Sequence, residues 1–290
     1  MGYRKFISKF FPRIKGIMLS RRILYDFLTK IIAITEKDLK LRLRFKYDIF
    51  VSFINPIISI VMPIIIIGQF FNYNANFGSW TEKTYYIFIF MAYNIILIES
   101  ITGEFPTQFI REKFWKTLPS LMIAPFNRFN LLFGIFLSHL IIISIPFIFI
   151  FILCYLIYPV SFLTILFVIL IYFIIALIFS SIGLIIGSFA ISKESISRIL
   201  KFLITIVFLF SCITYPFELF PEIFQKLINL NPLYYIFDFI RLAWIEDNLL
   251  ITIKSHPIHL IILMITLFVI PILSIYIFNK VYKKFGIAGY

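Results

Sequence analysis

The sequence predicts an all-α membrane protein of six transmembrane helices, with an N-terminal cytoplasmic amphipathic helix and short re-entrant outer helices before the last span. Three observations predict this. Of the 290 residues, 61% are apolar and 14% charged, and the mean hydropathy is +1.01. Soluble domains are roughly 45–50% apolar, so the natural solvent for this chain is a bilayer. Next, runs of the roughly 20 apolar residues that cross a bilayer recur six times, at 49–71, 85–103, 131–158, 162–189, 199–216 and 259–278. Last, most of the charges sit between these runs instead of within them.

The segment 1–48 reads as a cytoplasmic interface segment. Phe6, Phe10, Phe11, Ile14 and Met18 recur at helical spacing among Arg4, Lys5, Lys9, Arg13 and Lys15, the pattern of a basic helix lying on a membrane surface. No cleavable leader is expected, because the first long apolar run starts behind a net-basic segment of almost fifty residues. Thr35-Glu36-Lys37-Asp38 reads as a capping box. From Leu39 to Lys46 the chain alternates with period two, which favours a strand. A lone strand at a membrane surface would leave backbone groups unpaired, so a helix is expected there instead.

The remaining residues, 49–290, form the six-span unit. The third and fourth runs are longer than a bilayer requires and must tilt or kink. Pro56, Pro63 and Pro146 are the candidate kinks. Thirteen Lys and Arg precede the first span, four lie in the loop 104–130, three lie near 190–201 and three follow the last span. Only Lys83, Lys226, Arg241 and Lys254 fall on the other side. The positive-inside rule therefore places both termini in the cytoplasm of a plasma-membrane protein. In the outer segment 217–258, Leu219, Phe220, Ile223, Phe224, Leu227 and Ile228 form one stripe, Asn231-Pro232 breaks it, and a second apolar stretch follows. Two short helices that dip without crossing are expected.

The net charge of +13 points to anionic lipid and cytoplasmic retention rather than to nucleic acid, because the basic residues flank apolar runs. Cys154 and Cys212 lie within apolar stretches and give no disulfide or metal framework. No phosphate loop, dinucleotide fingerprint or HExxH motif occurs. His139, His256 and His259 are read as isolated from carboxylates, with His139 alone in the third span. Catalysis in this chain is not expected. Glu99, near the inner end of the second span, reads as a translocation-path residue or an interfacial carboxylate. Gly183 and Gly187 offer a close-packing face on the fourth span, within the chain or across a dimer.

Two stretches carry more specific patterns. The loop 104–130 contains Arg111-Glu112, Trp115, Thr117-Leu118, Leu121-Met122, Pro125 and Arg128, apolar anchors ringed by charge. The outer segment contains Asn231-Pro232-Leu233, Tyr235, Asp238 and Arg241. The last two, three residues apart, are expected to pair.

With Asp38, Lys40 and Arg42 before the first span, these patterns resemble the ABC type 2 transporter permeases, in the drug- or lipid-exporting branch. The family's second cytoplasmic element resembles R-E-x-x-G-T-L-x-x-L-L-x-x-P-x-x-R, and its outer element N-P-L-x-Y-x-x-D-x-x-R. The sequence departs at Lys116, where the family usually has Gly, and at Pro119, where it usually has an acidic residue. The resemblance implies a transport subunit without enzyme activity. ATP and Mg would bind a separate ATPase subunit, coupled through the loop and the N-terminal helix. A second permease chain would complete the path, as a homo- or heterodimer. Implied cargo is amphipathic, lipid or lipid-linked. The competing readings are an integral membrane enzyme acting on lipids and a secondary carrier. The poverty of convergent acid, base or metal ligands speaks against the first, and the poverty of charge within the spans against the second.

Overall fold

The computed structural model describes residues 12–72, 81–117, 128–192 and 194–285, and among them every regular element is helical. In order these are α1 (Pro12–Leu43), α2 (Lys46–Asn72), α3 (Glu82–Glu99), a 3-10 turn (Ser100–Gly103), α4 (Glu104–Phe114), α5 (Arg128–Ile157), α6 (Phe162–Ser192) and α7 (Glu194–Leu209). A second 3-10 turn (Phe217–Leu219) then leads to α8 (Glu222–Ile228), α9 (Pro232–Glu246), α10 (Leu249–Ser255) and α11 (Pro257–Phe285). In α1, side chains are described from Tyr25 onward, so the apolar stripe Phe6–Met18 lies outside the described side chains.

Among the described residues, four helices are long and apolar enough to cross a membrane: Thr84–Phe114, Phe129–Ile157, Phe162–Ser192 and Pro257–Lys284. α2 adds the shorter apolar stretch Phe53–Ile66. The expected fifth span is cut short. α7 has 16 residues, about 24 Å at 1.5 Å per residue, and it ends at Leu209 instead of near 216. The chain turns there, with Cys212 in the left-handed region at φ 53°.

α6 is the central post, packed against α3, α4, α5, α7, α9 and α11. Between apolar helices in lipid the hydrophobic effect gives little attraction, so close backbone approach has to supply it. Gly183 and Gly187 do this inside the chain. A Cβ on Gly183 would lie 3.0 Å from the carbonyl oxygen of Thr102, and one on Gly187 would lie 2.8 Å from the Phe109 ring. Gly134 lets α1 seat on α5 in the same way, since a Cβ there would collide with Ile34. The main core joins α3, α6 and α9 through Phe88, Ile95, Tyr172, Phe179, Phe237 and Trp244. α5 buries far less of its length than Thr84–Phe114 and turns Ile141, Ile145, Phe149 and Leu156 outward.

Two local expectations are overturned. Thr35–Asp38 is the middle of a continuous 32-residue helix and not a cap. The Thr35 hydroxyl donates back to the Ile31 carbonyl at 2.9 Å and across to the Gly134 carbonyl at 3.1 Å. The loop 104–130 is also helical at first. α4 continues the second span, through the 3-10 turn, as far as Phe114. Helix over the period-two stretch is borne out through Leu43. The outer segment carries three helices, α8 to α10, where two were expected.

Candidate coupling region and outer segment

α4 ends in a Schellman motif. The Thr117 N–H bonds the Glu112 carbonyl at 2.9 Å, the Lys116 N–H bonds the Lys113 carbonyl at 3.1 Å, and Lys116 has φ 58°. That geometry favours glycine at Lys116, which accounts for the glycine in the family pattern. The Thr117 hydroxyl donates to the Glu112 carboxylate, which Lys37 of α1 also meets. Glu112 is 2% exposed. It therefore does not belong to a charged surface rim, as its neighbours suggest; it locks α1 to the end of α4. Lys113 pairs with Glu194 of α7 at 3.6 Å. Arg111 lies 6.0 Å from the Phe45 ring and 5.9 Å from the Trp115 ring. Phe114 and Trp115 stay 83% and 42% exposed, large for side chains beside so much buried surface. Leu118 and Leu121 lie outside the described residues. Arg128 opens α5, but its side chain is likewise outside the description.

Asp38 and Arg42 do not present themselves to a partner. Both are buried, and only Lys40 of that trio is exposed, paired with Glu36 at 2.6 Å. Arg42 Nε donates to Asp38 Oδ2 at 2.9 Å, and Nη2 lies 3.0 Å from Glu104 Oε2. Ser138 donates to the same Asp38 oxygen. Arg42 Nη1 lies 3.1 Å from His139 Nδ1. The same Nδ1 lies 3.5 Å from Glu104 Oε1. His139 Nε2 faces Ser100 Oγ at 3.0 Å, and Ser100 donates to the Leu97 carbonyl at 2.6 Å. The reading of His139 as isolated is therefore wrong. α1, the 3-10 turn, α4 and α5 meet in one buried polar cluster. The other histidines are also carboxylate-paired: His256 with Glu246 at 3.0 Å and His259 with Asp238 at 3.3 Å. The i, i+4 spacing of Asp38 and Arg42 was the one local sign of this cluster. Lys37, Ser100, Glu104, Ser138 and His139 were missed.

Glu99 sits where α3 gives way to the 3-10 turn and receives the Thr102 hydroxyl at 3.4 Å. It lines a cavity of about 390 Å³ with Ser59, Ile96, Thr205, Phe208 and Tyr215. The walls come from α2, α3, α7 and the turn after α7.

At the far end from α1, the outer pattern is a cap for the broken end of α7. Asn231 is the N-cap of α9, accepting from Leu233 N at 3.0 Å, with Pro232 at the first helical position. Its Nδ2 donates to the carbonyls of Val207 at 2.7 Å and Phe210 at 2.9 Å. Arg241, 1% exposed, donates Nη1 to the Cys212 carbonyl at 2.8 Å and Nη2 to the Ile213 carbonyl. Its guanidinium carbon lies 3.6 Å from the centre of the Phe88 ring. The last carbonyls of a helix have no intrahelical partner; Asn231 supplies one to Val207 in the last turn of α7, while Arg241 holds the turn that follows. The expected Asp238–Arg241 ion pair is not formed, because Arg241 is committed to carbonyls and Asp238 to His259. The Tyr235 hydroxyl donates to the Asn229 carbonyl at 3.0 Å.

No group of His, Cys, Asp and Glu suited to a metal occurs among the described residues. No curated protein matches the chain. The family model described as ABC-2 type transporter matches residues 29–244, which takes in α1 from its buried half, the polar cluster, the Schellman turn and the cap on α7. With three-quarters of its length matched, the chain belongs to the ABC-2 type transporter family and is a multi-pass transport protein of the membrane.

Proposed function

We propose that this chain is the permease subunit of an exporter whose ATP hydrolysis takes place on a separate ATPase chain with bound Mg. One observation carries the reading. A single helical rod, Thr84–Phe114, runs from the buried core to a rigid turn with Phe114 and Trp115 exposed at its tip. Between Phe88 and Trp115 it covers about 40 Å at 1.5 Å per residue. A partner pressing on the tip moves the rod as a body. Lys37–Glu112 and the Arg42 cluster make α1 follow, and Phe88 passes the displacement to Arg241 and the outer segment. This is a rigid-body gate, biased by whatever the partner binds.

In this reading the tip, with Leu118, Leu121 and Arg128 beyond it, faces the cytoplasm, as do both termini, in the plasma membrane. α2 and α7 complete six spans. The exposed apolar faces of α2 (Ile58, Met62, Ile65) and α7 (Phe202, Ile206, Leu209) meet a second permease chain or lipid. The cavity at Glu99 lies between these two helices and forms half of the path for an amphipathic, lipid or lipid-linked cargo.

The test is to replace Leu118 and Leu121 by Asp. The protein should insert and run as before on size exclusion, but should release its ATPase on purification and lose cargo-stimulated hydrolysis. Full retention of a normally active ATPase would move the coupling role elsewhere.

A further inference from the structure

The end of the bundle away from α1 holds a cavity of about 320 Å³ to which the coupling scheme assigns no ligand. Its walls come from Phe88 of α3, the turn at 212–218, α9 and the start of α11. Binding cavities usually span about 300–1,000 Å³, so this one suits a head group and not a whole amphiphile.

The wall combines aromatic rings with two carboxylates and one arginine. Phe217 stacks on Tyr234 at 5.3 Å, Tyr235 meets Tyr234 edge-on at 5.1 Å, and Tyr235 meets the His259 ring at 5.2 Å. Two carboxylates, Glu218 and Asp238, share this space. Burial raises Glu218 above its ordinary value, and the charge of Asp238 raises it further. Arg241 also lines the cavity; its Nη1 and Nη2 each donate to a carbonyl, of Cys212 and Ile213, its face lies on Phe88, and its buried Nε has no partner. His256 is held by Glu246. His259 offers Nε2 to Asp238, while its buried Nδ1 has no partner. Asp238 and His259 remain 19% and 16% exposed, enough for entry from outside.

We propose that this cavity binds a small organic cation, an ammonium or quaternary ammonium head group, held by the faces of Tyr234, Tyr235 and Phe217 and neutralised by Asp238 and Glu218. A cation over an aromatic face is attracted by the ring quadrupole, most strongly where water is excluded. A positive charge there also relieves the repulsion between the two carboxylates. An anion would meet two carboxylates against a single arginine, whose guanidinium is already held between two carbonyls and the Phe88 ring. The site lies away from the rod tip, and binding of a cation to the isolated chain does not depend on the coupling scheme, although Phe88 and Arg241 belong to both.

The experiment uses the full chain purified in detergent, with ligand-induced thermal shift and calorimetry. Choline is compared with 3,3-dimethylbutan-1-ol, which has the same shape without the charge. Choline should bind saturably and raise the melting temperature, and the neutral isostere should bind at least tenfold more weakly. Asp238→Asn and Tyr234→Leu should each weaken choline binding at least tenfold. Glu218→Gln, on a turn with no side-chain cap, gives the same reading if either of those fails to fold. A phosphatidylcholine with six-carbon chains separates the sources: tighter binding than choline assigns a lipid head group, equal binding a free amine. Equal binding of choline and the isostere, choline binding indifferent to Glu218→Gln and Asp238→Asn, or binding of inorganic phosphate in place of choline would overturn the proposal.

Discussion

Replacing Arg241 by Met keeps most of the buried apolar volume but removes two donors and a charge. The Cys212 and Ile213 carbonyls, in the turn that follows α7, then lose their partner. A buried polar group left unmatched costs about 1–3 kcal/mol. The cation stacked on Phe88 adds up to about 2 kcal/mol when desolvated. These terms are not additive, and Arg241→Met should cost about 3–6 kcal/mol in all. The assay is loss of the monodisperse size-exclusion peak on heating in detergent, with Arg241→Lys as control. Lysine keeps the charge but lacks the planar fork that reaches both carbonyls, and should recover no more than half of the loss. Exchanging the charges, Asp238→Arg with Arg241→Asp, should rescue nothing, because the acceptors are carbonyls. A melting temperature within about 2 °C of the parent for Arg241→Met, or rescue by the exchanged pair, would refute the role of Arg241 in holding that turn.

Other substitutions probe the rest of the frame. Lys116→Gly should stabilise by about 0.5–1 kcal/mol, the left-handed strain relieved less the extra entropy of glycine, read as a higher melting temperature. Gly187→Val should cost about 1–3 kcal/mol, because its side chain must displace the Phe109 ring and the backbone at Phe105, and a loss below about 0.5 kcal/mol would mean α4 and α6 are not packed this closely. Lys37→Met leaves the Glu112 carboxylate buried without its counter-charge and should cost about 1–3 kcal/mol, less than a fully buried pair because Lys37 is partly exposed. Glu112→Gln should cost less than Lys37→Met, since a carboxamide still accepts from Thr117 and needs no counter-charge; the reverse order in thermal melts would contradict the lock.

How much of this was legible in the sequence depends on the distance over which each feature acts. Local signals served well. Apolar run length marked α3, α5, α6 and α11, Asn231-Pro232 marked the start of α9, and Gly183–Gly187 marked a packing face. Features whose partners are far apart in the chain were invisible. Arg42 meets Glu104 and His139, and no spacing rule links positions so remote, so His139 read as a lone residue. Lys37 and Glu112 failed to show for the same reason. Local signals also misled where a tertiary contact won. Thr35 had a capping sequence but spends its hydroxyl on the carbonyls of Ile31 and Gly134. Asp238 and Arg241 had the spacing of a helical ion pair, but the long guanidinium reaches past it to the carbonyls of the turn after α7. The fifth apolar run read as helical to 216 although α7 ends at Leu209, because hydropathy does not register where a backbone turns. The glycine of the family pattern at Lys116 could have been read as a helix terminator from the sequence alone.

The central claim is that an ATPase acts on the exposed tip of the Thr84–Phe114 rod. The most direct measurement places a photo-crosslinking residue at Trp115 in one variant and at Leu230, exposed at the opposite end, in another, each irradiated in native membranes with the captured protein sequenced. The account predicts that the Trp115 variant captures a protein carrying a phosphate-binding loop and that the Leu230 variant does not. Capture of such an ATPase from Leu230 but not from Trp115, or of none from either, would contradict it.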